Sequence, residues 1–284
     1  MTTTWIVLIV APLALAALLA VCGACRWTRG SRKLHARLEA ARTPVHPLRV
    51  ELGEIEGAPA PVQAYLRAAL TDGHPMVAGV RVRHSGTIDM GETTERWRPF
   101  SSKQRVIVQR PGFDWDARVR MMPGLVVRVH DAYVAGEGML HAELFGLLTV
   151  ADLRGTRDIA EGELIRFLAE TAWYPTALLP GQGVRWDAVD ARSARATLSD
   201  GPTSVTLLCT FAPDGMIERV RAEARGRMVG KEIVPTPWEG RFWNYAERDG
   251  MRIPLDGEVS WVLPEGPRPY WRGRITEIAY EFAE

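Results

Sequence analysis

Only three of the 284 residues are cysteine, at positions 22, 25 and 209. Three thiols cannot build a disulfide framework, and Cys22-x-x-Cys25 has no second pair with which to close a zinc site. Cys209 lies in the apolar run VTLLCTF and is expected to pack as a small hydrophobe. Lysine is equally scarce, three residues against 32 arginines. The skew runs through the whole chain, so it reflects codon composition and not an arginine-rich binding face. The six histidines are scattered, and none shares a helical turn with another, so no metal site is expected. No G-x-S-x-G elbow, Walker loop, H-E-x-x-H or complete G-x-G-x-x-G occurs, and no cofactor is expected either. Gly136-Glu137-Gly138 and Gly181-Gln182-Gly183 read as turns between strands. The formal net charge of +1 hides an asymmetry: beyond residue 43, 29 basic residues face 33 acidic ones. A mildly acidic body argues against a nucleic-acid partner.

What is present begins with WIVLIVAPLALAALLAVCGA, an uncharged run from Trp5 to Ala24. As a helix it spans roughly 30 Å, the thickness of a bilayer's hydrocarbon core. Pro12 does not break it, since membrane helices tolerate proline. The flank Met1-Thr2-Thr3-Thr4 carries no base, and the run is too long for a cleavable signal. Residues 1–25 therefore read as one transmembrane helix, which makes membrane lipid a partner. Arg26, Arg29, Arg32, Lys33, Arg37 and Arg42 follow, against Glu39 alone. This bias predicts a single-pass protein with its body in the cytoplasm. An extracytoplasmic body, with Cys22 or Cys25 lipidated, is the alternative. The cations either hold the segment against anionic lipid or only set topology. Residues 26–60 read as a basic juxtamembrane segment and linker, with Pro44, Pro47 and Pro59 breaking any periodicity.

Residues 61–284 read as a β-rich domain. A short amphipathic helix comes first, VQAYLRAAL, with Val62, Tyr65, Leu66 and Ala69 on one side. The rhythm then becomes period two. In FDWDARVR, for example, Phe113, Trp115, Ala117 and Val119 alternate with Asp114, Asp116, Arg118 and Arg120. One helix interrupts the strands at GELIRFLAETAWYPTALLP. There Leu164, Leu168 and Ala172 form an apolar stripe, and Glu163, Arg166 and Glu170 are expected on the solvated side. Strands resume after it, joined by the turn signals Ser199-Asp200-Gly201, Pro213-Asp214-Gly215 and Asp249-Gly250. The fold class is mainly β (α+β): one large curved antiparallel sheet or open barrel with short helices, behind one N-terminal transmembrane helix.

The blocks PVQAYLRAAL, PGFDWDARVR, WYPTALLP with GVRWDAVD, VPTPWEGRFWNY and GEVSWVLPEGPRPYWRGRITEIAYE resemble an uncharacterised bacterial family, a domain of unknown function. The family brings no activity with it. A looser similarity, carried by WNYAERDGMRIP, is to the half-barrel carriers that ferry lipoproteins. It implies a sheet that holds an apolar cargo, although such carriers are usually exported.

Two groups of residues are candidates for chemistry. If FDWDARVR and LVVRVHD form a hairpin about Met122-Pro123-Gly124, Asp116 lies opposite His130 with Asp114 on the same face. A carboxylate beside an imidazole suits general-base catalysis, and cross-strand ion pairing is the plain alternative. In PTPWEGRFW, Trp238, Glu239, Arg241 and Trp243 crowd a carboxylate and a guanidinium among indoles, fit to grip a lipid headgroup or simply to pack. Trp173 and Tyr174 either close one mouth of the sheet or cap the helix before Pro175. The leading expectation is a membrane-tethered protein that binds a lipid or other apolar ligand in a Trp-rich sheet. A membrane-bound hydrolase using Asp116 and His130 and a structural module of the envelope are the other two readings.

Overall fold

The computed structural model describes residues 2–91, 94–230 and 232–284, without the side chains of residues 2–10, 12, 13 and 16. A single helix, α1 (Thr2–Ala40), opens the chain and continues without a break past residue 25. Among the described residues no helix is long and apolar enough to cross a membrane. Much of the apolar run from Trp5 lies, in its side chains, outside the described residues.

Among the described residues, thirteen antiparallel strands form one sheet. The first meander is β1 (Val77–Asp89), β2 (Trp97–Ile107), β3 (Gly112–Met122), β4 (Leu125–Val134), β5 (Glu137–Leu144) and β6 (Leu148–Arg154). The second is β7 (Arg185–Asp190), β8 (Ser193–Asp200), β9 (Thr203–Phe211), β10 (Ile217–Val229), β11 (Glu232–Arg248), β12 (Met251–Leu263) and β13 (Gly266–Phe282). β1 pairs with β13, so the two meanders meet at the middle of the sheet and leave β6 and β7 as its edges. Period-two alternation sets which residues face in: along β3, Phe113, Trp115, Ala117 and Val119 are all buried. Glycines at 124, 201, 215 and 250 adopt left-handed φ of +57° to +84° and close four of the hairpins.

The segment from β6 to β7 must cross from one edge to the other. It does so through α3 (Arg157–Glu170) and short 3-10 turns at Thr171–Trp173, Pro175–Leu178 and Pro180–Gln182. Thr156 caps α3, accepting from Ile159 N at 3.3 Å. α3 packs on β4 and β5 of one wing and on β9 and β10 of the other. Approach is so close that a Cβ at Gly138 of β5 would stand 2.5 Å from the Ile159 carbonyl oxygen. This position corrects one expectation. Glu163 and Glu170 are buried, and the Arg166 side chain is only 14% exposed, because a helix lying between two wings of a sheet has no solvated side.

α2 (Ala60–Ala69) buries Val62, Tyr65, Leu66 and Ala69 against the main core. The preceding linker is ordered as well, with Val45, Val50 and Ile55 in that core and a 3-10 turn over Leu52–Ile55. The second half of α1 lies on the opposite face of β3–β5, where Leu34 and Leu38 join Ile107, Ala132 and Val134 in a small second cluster. Trp27, Ser31, Leu34 and Leu38 recur at helical spacing, which is the buried stripe of this half.

Candidate functional site

Inside the curve of the sheet, α3 leaves a cavity of about 100 Å³. Its walls are aromatic: Trp115 from β3, Trp173, Trp238 and Phe242 from β11, and Tyr270 and Trp271 from β13. Ala169 of α3 and Val259 of β12 complete the apolar part. The strands place these rings together because each contributes inward positions at neighbouring registers; Trp238 pairs with Trp261, and Val259 with Trp271.

A buried charge cluster borders the rings. Arg166 Nη1 donates to Asp131 Oδ2 at 2.5 Å and its Nε to Glu170 Oε1 at 2.8 Å. Its guanidinium lies 5.0 Å from the rings of both Phe113 and Trp115. Burial works against the Arg166 charge, yet Glu170 and Asp131 outweigh it and raise its pKa. Gln104 donates to Glu170. On the other side Arg225 sits 5.1 Å from the Trp238 ring and 3.4 Å from Glu163, and Trp238 Nε1 donates to Tyr270 Oη at 2.9 Å. Burial, and then Asp131, push the Glu163 carboxyl well above the usual carboxylate range. Two guanidiniums, those of Arg166 and Arg225, thus face the carboxyl groups of Asp131, Glu163 and Glu170. Two lining residues hold buried polar atoms with no hydrogen-bond partner among the described residues, Trp115 Nε1 and Asp131 Oδ1. His84 tilts against Trp173 at 4.8 Å between centroids; burial, helped by Arg166, pulls its pKa down to about 3, so it is neutral.

A second polar array lies under α1. Asp116 and His130 are direct cross-strand partners, with Asp114 on the same face. It is Asp114, only 1% exposed, that bonds the imidazole: Oδ1 is 2.7 Å from His130 Nδ1, and Oδ2 is 2.9 Å from His35 Nε2. His130 Nε2 is 2.9 Å from Ser31 Oγ. Burial opposes charge on both, but their mutual bond prevails, lowering the Asp114 pKa and raising that of His130. Trp27 covers the group, its ring stacked 4.4 Å from the imidazole and its Nε1 donating to Asp116 Oδ1 at 3.1 Å. The order serine, histidine, aspartate is that of a hydrolase triad. The placement is not: Ser31 is 8% exposed, its hydroxyl also donates to Trp27 O at 3.1 Å, and an indole lies flat over the base. The array bonds a helix to a sheet.

Of the ligand-site candidates, Trp173, Trp238 and Arg241 border the cavity, although Arg241 is largely exposed. Tyr174 is buried, its hydroxyl donating to Phe167 O at 3.2 Å, and does not line the cavity. Glu239 and Trp243 fall on the other face of β11; Glu239 lies 3.4 Å from Arg219, and Trp243 is 47% exposed. Trp115, Asp131, Arg166, Glu170, Arg225, Tyr270 and Trp271 are cavity residues that sequence reasoning did not select. The available signal was Trp115 on the inward phase of β3, beside residues already recognised as an inward set.

Residues 56–280 match the profile of a family of unknown function (DUF6920), and the chain belongs to that family. No curated protein matches it. Three crystal structures are similar at low identity. A DUF1329 family protein of Desulfovibrio piger is 11% identical with a TM-score of 0.40, over 78% of this chain and 92% of that one. A LolA superfamily protein of Nitrosomonas europaea is 11% identical with a TM-score of 0.33, over 78% and 94%. A β-barrel-like protein with domain DUF1849, from Brucella abortus, is 13% identical with a TM-score of 0.25, over 72% and 99%.

Proposed function

We propose that this is a membrane-anchored binding protein whose concave cavity takes an apolar ligand. The observation that carries the reading is the ring of Trp115, Trp173, Trp238, Trp271 and Tyr270 around about 100 Å³ of space. Aromatic walls with a few polar groups are the usual make-up of a small-molecule site. The volume sets a bound on what enters. A dry cavity of ~150 Å³ accepts benzene or xenon, so this smaller one takes the end of an acyl chain or a group of similar bulk. A whole lipid requires α3 to draw away from one wing. The charges of Arg166, Asp131 and Glu170 are already paired with one another and favour an uncharged ligand, since an ion would enter without a counter-charge.

The apolar run of α1 supplies the anchor, and the basic residues after it favour a cytoplasmic body. A hydrolase using Asp116 and His130 receives less support, because both lie under Trp27 and away from the cavity. Crystals of the full chain pressurised with xenon test the proposal. An anomalous xenon peak among the four indoles is expected, and Ala169→Leu should remove it by filling the space. No peak in the wild type would refute the reading.

A further inference from the structure

One end of the first meander carries a surface that the cavity does not use. α1 fixes its level. Gly23 packs so tightly on the turn between β5 and β6 that a Cβ there would collide with the Phe145 carbonyl. Arg26 Nε donates to Gly146 O at 3.0 Å, and its Nη2 bonds Glu143. The last residues of the apolar run therefore lie level with this turn. Exposed apolar side chains gather here: Phe145 on the turn, Leu148 and Val150 on β6, and Met122 at the tip of the β3–β4 hairpin. Phe145 N donates to Val126 O at 3.2 Å, which ties the two tips together. Single exposed hydrophobes need no explanation, but a group of them beside an apolar helix does.

One turn further along α1, ~6 Å by helical rise, stands a set of arginines. Arg128 lies 5.9 Å from the Trp27 ring. Arg118 is its direct cross-strand partner, and Arg120 follows on the same face. Like charges placed opposite each other destabilise a strand pair. Among the described residues none of the three forms an ion pair, unlike Arg26, Arg81, Arg83 and Arg105 around them. Apolar tips with a band of cations one helical turn behind them match the layering of a bilayer interface, acyl boundary first and phosphates next.

We propose that this end of the sheet rests on the membrane surface, with Met122, Phe145 and Leu148 entering the interface and Arg118, Arg120 and Arg128 binding anionic lipid headgroups. The proposal rests on the anchoring of α1 put forward above. Docking at two points, helix and sheet end, would hold the body in one orientation on the bilayer. Each arginine contributes roughly a five-fold preference for anionic lipid.

The test uses the full chain with Cys22→Ser and Cys25→Ser, reconstituted into phosphatidylcholine nanodiscs with or without phosphatidylglycerol. An environment-sensitive fluorophore is attached at Met122→Cys, at Leu148→Cys or, as a control on the exposed edge strand β7, at Val189→Cys. The first two labels should be quenched by headgroup nitroxide lipids and shielded from aqueous iodide; the control should be open to iodide. Changing Arg118, Arg120 and Arg128 to Gln should expose the Met122→Cys label in the discs with phosphatidylglycerol. Labels as open to iodide as the control, in discs that retain the protein, would overturn the docking while the anchor survives. Shielding indifferent to phosphatidylglycerol and to the three arginines would overturn the headgroup contacts. A chain that does not enter discs at all would overturn anchor and docking together.

Discussion

Replacing Arg166 by Met isolates the buried cluster beside the cavity. The substitution keeps most of the side-chain volume but removes the partner of Asp131 and Glu170 at 2.5 and 2.8 Å. Both carboxylates then stand uncompensated among aromatic rings, and breaking a buried pair in this way costs about 3–5 kcal/mol. Loss of the guanidinium from the faces of Phe113 and Trp115 adds to this, since a desolvated cation–π contact is worth ~2 kcal/mol. In a domain of this size each kcal/mol moves the midpoint by about 2–4 °C, so Arg166→Met should melt roughly 10–25 °C below the wild type. Thermal unfolding of the full chain in detergent, followed by far-UV circular dichroism, reads the effect. Adding Asp131→Asn and Glu170→Gln to Arg166→Met should recover at least half of the loss, because neutral amides need no counter-charge. A single substitution costing under ~1 kcal/mol, or a triple no better than the single, would refute the electrostatic reasoning.

Trp27→Ala removes the stacked cover of His130 and the bond to Asp116; deuterium exchange over residues 26–40 should accelerate about 100-fold, from a loss of ~3 kcal/mol for a buried Trp. Docking of this half of α1 should also depend on pH. His130 has a raised pKa, so its contribution is complete below its ordinary value of 6.5 and fades as pH climbs through the folded value. Asp114 has a lowered pKa, so its contribution is complete above 3.8 and fades as pH falls through the folded value. Exchange in α1, corrected for intrinsic rate, should be faster at about pH 8.5 than at about pH 5.5, and His130→Gln should abolish the difference. For topology, a C-terminal alkaline phosphatase fusion should be inactive and a green fluorescent fusion bright, and three Lys added after Met1 should weaken or invert that pattern.

Local alternation makes the sheet legible in the sequence itself. The hairpin about Met122-Pro123-Gly124 placed Asp116 opposite His130, and the structure has that pairing. Turn chemistry did the same at Gly201, Gly215 and Gly250. What could not be read was burial imposed from a distance. Arg166, Glu163 and Glu170 look like a solvated helix face until both wings of the sheet close over α3. Residues 26–40 look like a charged juxtamembrane segment because five basic residues surround the stripe of Trp27, Ser31, Leu34 and Leu38. Tyr270 and Trp271 join Trp115 at the cavity only through the pairing of β1 with β13, a contact between nearly opposite ends of the domain.

The binding reading meets its most direct test in native mass spectrometry of the full chain released from its own membranes. Wild type should carry one or more discrete apolar adducts that survive gentle activation. Ala169→Leu, which fills the space beside Trp173 and Trp238, should lose them, whereas Trp243→Ala, on the exposed face of β11, should keep them. A wild-type protein at its bare mass, or adducts retained equally by Ala169→Leu, would contradict a ligand in the concave cavity.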